Sequence, residues 1–285
     1  MPDDRVTILL PVTHYHPEFL RLALASVFAQ TRSDWRVLVV VNPQDEGHFQ
    51  QVLAEPLRDG RVGLVRNRGQ RLAGSYNSAM AAAETEFIAA LMGDDLLHPE
   101  AVETLGREIM AHPHTDFFIT GRYYVDADGR RISSDYLPNR RVTREAFVES
   151  SPVKHLMCWR ARRGLACGGV DETLENFGSD DYDFPWTMFE HGAVFTPIQR
   201  ALYLFRDHRE AFRLTTHVPR SVQVRTLRRI LDKHGVGPRE TRRRIRSARR
   251  SYLRQSLFRN PLDRWLRTSI GLKPRPGQGW REPYR

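Results

Sequence analysis

No apolar stretch in this 285-residue chain approaches the ~20 residues needed to cross a bilayer as a helix; the longest runs, residues 37–41 and 87–92, are strand-sized. A helical membrane span is therefore not expected. Cysteine is scarce: Cys158 and Cys167 alone make neither a disulfide framework nor a zinc site, and read as small buried hydrophobes in a reducing compartment. The opening MPDDRVTILLPV holds acids where a secretory signal needs cations, and Pro11 cuts its apolar run short, so a cytoplasmic location is expected. Acids are nearly missing from the last quarter. Residues 219–285 carry 20 Lys and Arg against 4 Asp and Glu, and the other 218 residues carry 24 against 30, so a net charge of +10 divides into +16 and −6. Two electrostatic halves imply two jobs.

What is present is an alternation of strand and helix. Residues 6–12 (VTILLPV) read as a first strand, and HPEFLRLALASVFAQT puts Phe19, Leu20, Ala23, Leu24, Val27 and Phe28 on one helical face with Pro17 in the first turn. WRVLVVV (35–41) is β-branched almost throughout, as a strand buried on both faces would be. An Ala-rich helix from Gly74 to Glu84 then leads into the strand EFIAALM. Right-handed crossovers would align Val12, Asn42 and Asp94 along one edge of a parallel sheet, where α/β proteins bind ligands. Further on, Pro99 opens a helix, and DFFITGRYYVDADGRRIS reads as two strands around a turn at Asp126–Gly129. PVKHLMCWRARRGLACGG reads as short helical or loop pieces, and AVFTPIQRALYLFR as two strands with Pro197 between them. From Pro219 onward, SVQVRTLRRILDKHG and PRETRRRIRSARRSYLRQSLF form an amphipathic, arginine-rich helical appendix.

Three polar clusters stand out from this pattern. Asp94 and Asp95 directly follow the apolar run and Gly93; they are either ligand groups at a strand end or the cap of the helix near Pro99. Gly178-Ser179-Asp180-Asp181-Tyr182-Asp183 holds three acids within four residues, whose repulsion raises at least one pKa and suits a general base. An acidic helix start is the blander alternative. Arg206-Asp207-His208 follows the last apolar strand.

The order VTILLPV, LALASVFAQT, WRVLVVVN, RNRGQRLAGSYNSAMAAAETEFIAALMGDDLLHP, GGVDETL and SDDYDFPW resembles family 2 glycosyltransferases of the GT-A fold, over about residues 5–210. The resemblance implies an α/β fold: a Rossmann-like mixed sheet flanked by helices, here with a C-terminal basic helical extension. Residues 1–95 would be the nucleotide-sugar half, 96–218 the acceptor and catalytic half of the same domain, and 219–285 the extension. It also implies a metal-dependent inverting transfer from a nucleotide diphosphate sugar to a glycan or lipid-linked acceptor, as in bacterial surface polysaccharide synthesis. By register Asp94, with Asp95 and His208, would hold Mn²⁺ or Mg²⁺. Asp181 would be the catalytic base, with Asp180 as the alternate. Pro11, Val12, Thr13, Asn42, Arg71, Asp94 and Arg213 would contact the nucleotide. Two positions depart from the family pattern: Met92 and Asn42 stand where aspartate is frequent. These departures favour the alternative of a non-catalytic nucleotide-sugar or glycan-binding protein. For the basic extension three readings stay open: docking on an anionic membrane at the inner face, binding of nucleic acid, or a cap folded back on the acidic core or at a contact between subunits of a homo-oligomer.

Overall fold

The computed structural model of the chain describes residues 4–13, 15–175, 177–207 and 218–258, with side chains up to residue 250. Its centre is an eight-stranded sheet in the order β3-β2-β1-β4-β7-β6-β8-β5. The strands are β1 (Val6–Val12), β2 (Arg36–Val41), β3 (Val62–Arg66), β4 (Phe87–Ala90), β5 (Leu96–Leu97), β6 (Phe117–Val125), β7 (Met157–Arg160) and β8 (Phe195–Arg206). All seven residues of β1 are buried because β2 and β4 pair with it in parallel from either side, Leu9 lying opposite both Leu38 and Ala90. Strand alternation then feeds two separate cores. Ile8, Leu10, Val12, Val37 and Val39 pack beneath α1 (Pro17–Phe28) and α4 (Ala101–Ala111). Leu9, Val40 and Ile88 pack beneath α3 (Arg71–Ala82), α6 (Ala161–Ala166) and α7 (Phe184–Glu190).

β7 corrects the expectation of loop or helix before residue 161. Its four residues are too few to display a period, yet Met157, Cys158 and Trp159 are fully buried and pair antiparallel with β4 on one side and β6 on the other. Trp159 stacks on Tyr76 at 5.7 Å and on Phe117 at 5.9 Å, and its indole N–H meets the sulfur of Met80 at 3.1 Å. Truncation there leaves an apolar void between sheet and helix. Trp159→Ala is expected to cost about 3–5 kcal/mol, to be read as the shift in urea midpoint at unchanged slope.

Two other expectations change in detail. The turn at Asp126–Gly129 forms, but its return arm makes only two bridges, Arg122 with Tyr136 and Val125 with Arg131. Tyr124 N–H goes to the hydroxyl of Ser133 rather than to a ladder carbonyl. The two strands expected around Pro197 are one twelve-residue strand, β8, which absorbs the proline where its register with β6 slips between Ile119 and Arg122.

The basic extension is no loose appendage as far as it is described. α8 (Arg220–Lys233) and α9 (Pro238–Phe258) sit on the same core as α3 and α7, burying Leu227, Ile230, Leu231, Val236, Ile245 and Ala248. Arg225 pairs with Glu175 at 3.1 Å, and Lys233 with Asp171 at 3.1 Å and Asp183 at 2.7 Å.

Candidate active site

Past β4 the chain makes a tight turn, Met92-Gly93-Asp94-Asp95, closed by Asp95 N–H donating to Met92 O at 3.1 Å. Three groups of β8 hold it. The hydroxyl of Tyr203 donates to Asp95 Oδ2 at 2.6 Å and accepts from Met92 N–H at 3.2 Å. Arg206 N–H donates to Asp95 Oδ1 at 2.7 Å, and its guanidinium to Asp94 O at 2.9 Å. Asp95 is buried, and both of its oxygens accept hydrogen bonds from β8 that hold the turn. The helix cap is set aside for Asp95. Asp94 keeps a half-buried side chain at the strand end, beside the terminus of β1, where Gly93 lies against Pro11 O.

The second acidic segment is a π-turn, Ser179–Asp183, entered through Gly178 in the left-handed region (φ 71°) and closed by Asp183 N–H to Gly178 O at 2.8 Å. Its wide turn splits the three acids. Asp180 is buried and accepts from Tyr76 OH at 3.3 Å, while Asp181 is half-buried with its carbonyl taking the Ser151 hydroxyl at 2.5 Å. Asp183 turns the other way and binds Lys233 and His234 of the basic extension, so it does not join the other two.

His155, two residues before β7, connects the two segments. Its ring stacks on Tyr203 with centroids 5.3 Å apart, and its Nε2 is 3.8 Å from Asp180 Oδ2. A continuous chain of contacts thus runs Asp95, Tyr203, His155, Asp180, Tyr76, and the charges of Asp94 and Asp181 both act on His155. Lys154 lies beside Asp181; burial pushes its ammonium down to about 8, against the pull of that carboxylate.

Burial first and the charge of Asp181 second raise the Asp180 carboxyl from 3.8 to about 7. Burial lowers His155 from 6.5 to about 4, partly opposed by Asp181. The raised carboxyl stabilises the fold fully below pH 3.8, and that contribution is lost as pH climbs through about 7. The depressed imidazole does the reverse: its contribution is present above 6.5 and lost as pH falls through about 4. The two oppose one another over one window. Asp180→Asn should therefore expose the histidine and make stability fall on acidification more steeply than in the parent, whereas His155→Gln should make it rise. Thermal midpoints measured from pH 4 to 7 check both signs.

On the nucleotide side, Pro11 and Val12 are buried at the end of β1 and Thr13 is exposed just beyond. Asn42, at the end of β2, donates to Asp45 Oδ2 at 3.2 Å and lies 3.5 Å from the amide of Asn67, which in turn donates to Arg71 O at 3.0 Å. Arg71 is exposed at the start of α3. These five line the same carboxyl edge of β1 and β2 as Asp94. His208 and Arg213 lie outside the described residues.

Residues 7–167 match the model of the family described as Glycosyl transferase family 2, more than half of the chain. The chain belongs to glycosyl transferase family 2. It is 25% identical over 204 residues to the O-antigen biosynthesis protein RfbC of Myxococcus xanthus, a match covering 71% of this chain but 16% of that protein, so the chain spans under a fifth of RfbC. In structure it is similar to S. aureus TarS 1–349, solved in complex with UDP-GlcNAc, with a TM-score of 0.60 at 18% identity over 79% of this chain and 65% of that one. It is similar also to the mannosyltransferase PcManGT from Pyrobaculum calidifontis, solved with GDP-Man and Mn²⁺ (TM-score 0.55, 16% identity, 87% and 71% coverage). The fold is GT-A, as the motif order implied.

Within this family 2 chain, sequence reasoning missed Tyr76, Lys154, His155, Tyr203 and Arg206. Tyr76 left one signal, a lone large polar side chain in an Ala-rich helix, and Arg206 was quoted only as a neighbour of His208. His155 left none, because its importance comes from β7, whose four residues carry no readable period.

Proposed function

We propose that this chain is a metal-dependent, inverting glycosyltransferase that moves a sugar from a nucleoside diphosphate to a hydroxyl of a glycan or lipid-linked acceptor in surface polysaccharide synthesis. The observation that carries the reading is the contact chain through Tyr203 and His155, which joins the turn bearing Asp94 to the turn bearing Asp181. Asp181, half-buried and beside Lys154, takes the proton of the acceptor hydroxyl as its oxygen bonds to the anomeric carbon. The bond from that carbon to the diphosphate breaks on the opposite face, so one displacement inverts the centre. Asp180 stands behind it as a carboxyl that holds a proton near neutrality.

Among the described residues no three His, Cys, Asp or Glu side chains gather as a metal cage. A hard cation carried by one or two carboxylates, substrate phosphate oxygens and water needs no such cage. The donor set fits that mode, with Asp94 as the protein ligand and His208 as a proposed second. When bound, Mn²⁺ or Mg²⁺ offsets the charge that develops on the leaving diphosphate. Pro11, Val12, Thr13, Asn42 and Arg71 are the proposed base and ribose contacts, with Arg213 on phosphate. The neighbours' nucleotide sugars, UDP-GlcNAc and GDP-Man, support this class of donor, and RfbC supports the polysaccharide setting. The proposed location is the cytoplasmic side of the membrane.

Thermal midpoints with a panel of nucleoside diphosphates, with and without Mn²⁺, test the reading. One nucleotide should raise the midpoint by several degrees, and only with the metal present. No response to any of them, or an identical response in EDTA, would overturn it. Tight donor binding with no transfer to any acceptor would instead favour the binding-protein alternative.

A further inference from the structure

Along α9 six arginines, 239, 242, 243, 246, 249 and 250, are all exposed and follow the spacing i, i+3, i+4, i+7, i+10, i+11. That spacing puts them on one stripe about 16 Å long. None of the six makes an ion pair or hydrogen bond with a described residue, unlike Arg225, Arg229 and Lys233 of α8, which are tied to the core. The opposite face of α9, Thr241, Ile245 and Ala248, is buried, so the helix cannot turn the stripe inward. Glu240, the one acid of the helix, lies off it.

The helix that carries the stripe shares its core with the π-turn, Ile245 and Ala248 packing in the same cluster as Tyr182. Arg244, half-buried on the side of α9 turned away from the stripe, acts electrostatically on Tyr182 of the π-turn and on Lys154.

We propose that the arginine face of α9 docks this chain on an anionic lipid leaflet, with the acceptor site held at the membrane surface. The cations act on an anionic leaflet as point charges, each adding its own attraction, and a row on a convex helix presents them to a flat surface. Single-stranded nucleic acid is bound differently, in a groove with aromatic platforms, and the stripe has neither feature. The docking stands on the charge pattern alone; that it serves a lipid-linked acceptor rests on the transferase reading above.

The test is flotation of the full chain with vesicles of phosphatidylcholine alone and of phosphatidylcholine mixed with phosphatidylglycerol, beside a duplex DNA titration at the same salt. The chain should float with the anionic vesicles only, and added salt should release it. Each arginine neutralised should lower partition about fivefold. The quadruple variant Arg239→Gln, Arg242→Gln, Arg243→Gln, Arg246→Gln should therefore bind a few hundredfold more weakly, and the matching Arg→Lys quadruple should bind like the parent. An unchanged thermal midpoint and unchanged nucleotide binding in both variants show that the fold and the donor site are intact. Undiminished flotation of the Gln variant, equal binding to neutral vesicles, or binding to DNA without binding to anionic vesicles would each overturn the proposal. Loss of nucleotide binding in the parent would count against the transferase reading instead.

Discussion

Replacing Asp181 by Asn should lower sugar transfer by about 10²- to 10⁴-fold, with the fold and the affinity for the donor nucleotide unchanged. The amide keeps the shape of the side chain and removes its charge, and with it the capacity to take a proton. The hydrogen bond that ties this residue into the local fold runs from Ser151 to its main chain and survives the change, so the turn should keep its shape. Asp180→Asn provides the contrast. It removes a buried carboxyl that burial and the charge of Asp181 already bias toward its protonated form, so its effect on turnover should be the smaller of the two and should show mainly in the pH profile. Initial rates of nucleoside diphosphate release measure both. A fully active Asp181→Asn beside an inactive Asp180→Asn would move the base by one residue.

Replacing Asp183 by Ala should destabilise the chain by about 3–5 kcal/mol, the usual cost of removing one partner of a buried charge pair. The side chain is 1% exposed and receives Lys233 Nζ at 2.7 Å and His234 Nε2 at 3.1 Å, while the His234 ring lies flat on Trp186 with centroids 4.2 Å apart. Lys233 keeps a second acid in Asp171 and is partly exposed, which argues for the lower half of that range. For a chain of this size the thermal midpoint should fall by roughly 10 °C. Asp183→Asn, which retains a hydrogen-bonding side chain, should lose about half as much. Because the Asp183 carboxylate ties the π-turn that carries Asp180 and Asp181 to Lys233 and His234, turnover should fall as well, although Asp183 itself turns away from the other two acids. An unchanged midpoint would mean that Leu227, Ile230 and Leu231 hold the extension on the core without help from the charges.

The parts of the fold legible in sequence were those whose pattern is long and local. β1 and β2 are uninterrupted buried runs, α1 shows a full apolar face behind a proline, and the spacing in α8 and α9 marks their buried sides. The family motifs single out Asp94 and Asp181, but nothing in their spacing says that both carboxylates act on one side chain, His155. That depends on β7, which is four residues long, and on His155 at its entrance. The structural ties of Asp95 and Asp183 were illegible for a related reason. Each looks like one more acid in a cluster, and only their partners, Tyr203 and Arg206 for one, Lys233 and His234 for the other, turn them into structural anchors.

The spatial claim on which this mechanism rests is tested most directly by a crystal of the chain soaked with Mn²⁺ and a nucleoside diphosphate, read at the manganese absorption edge. The expected map has its anomalous peak on the carboxylate of Asp94, the diphosphate bridging the metal on the rim of β1 and β2, and the side of the diphosphate open to a sugar facing Asp181. A peak away from Asp94, or a nucleotide bound where His155 and Asp181 cannot reach the sugar, would contradict it.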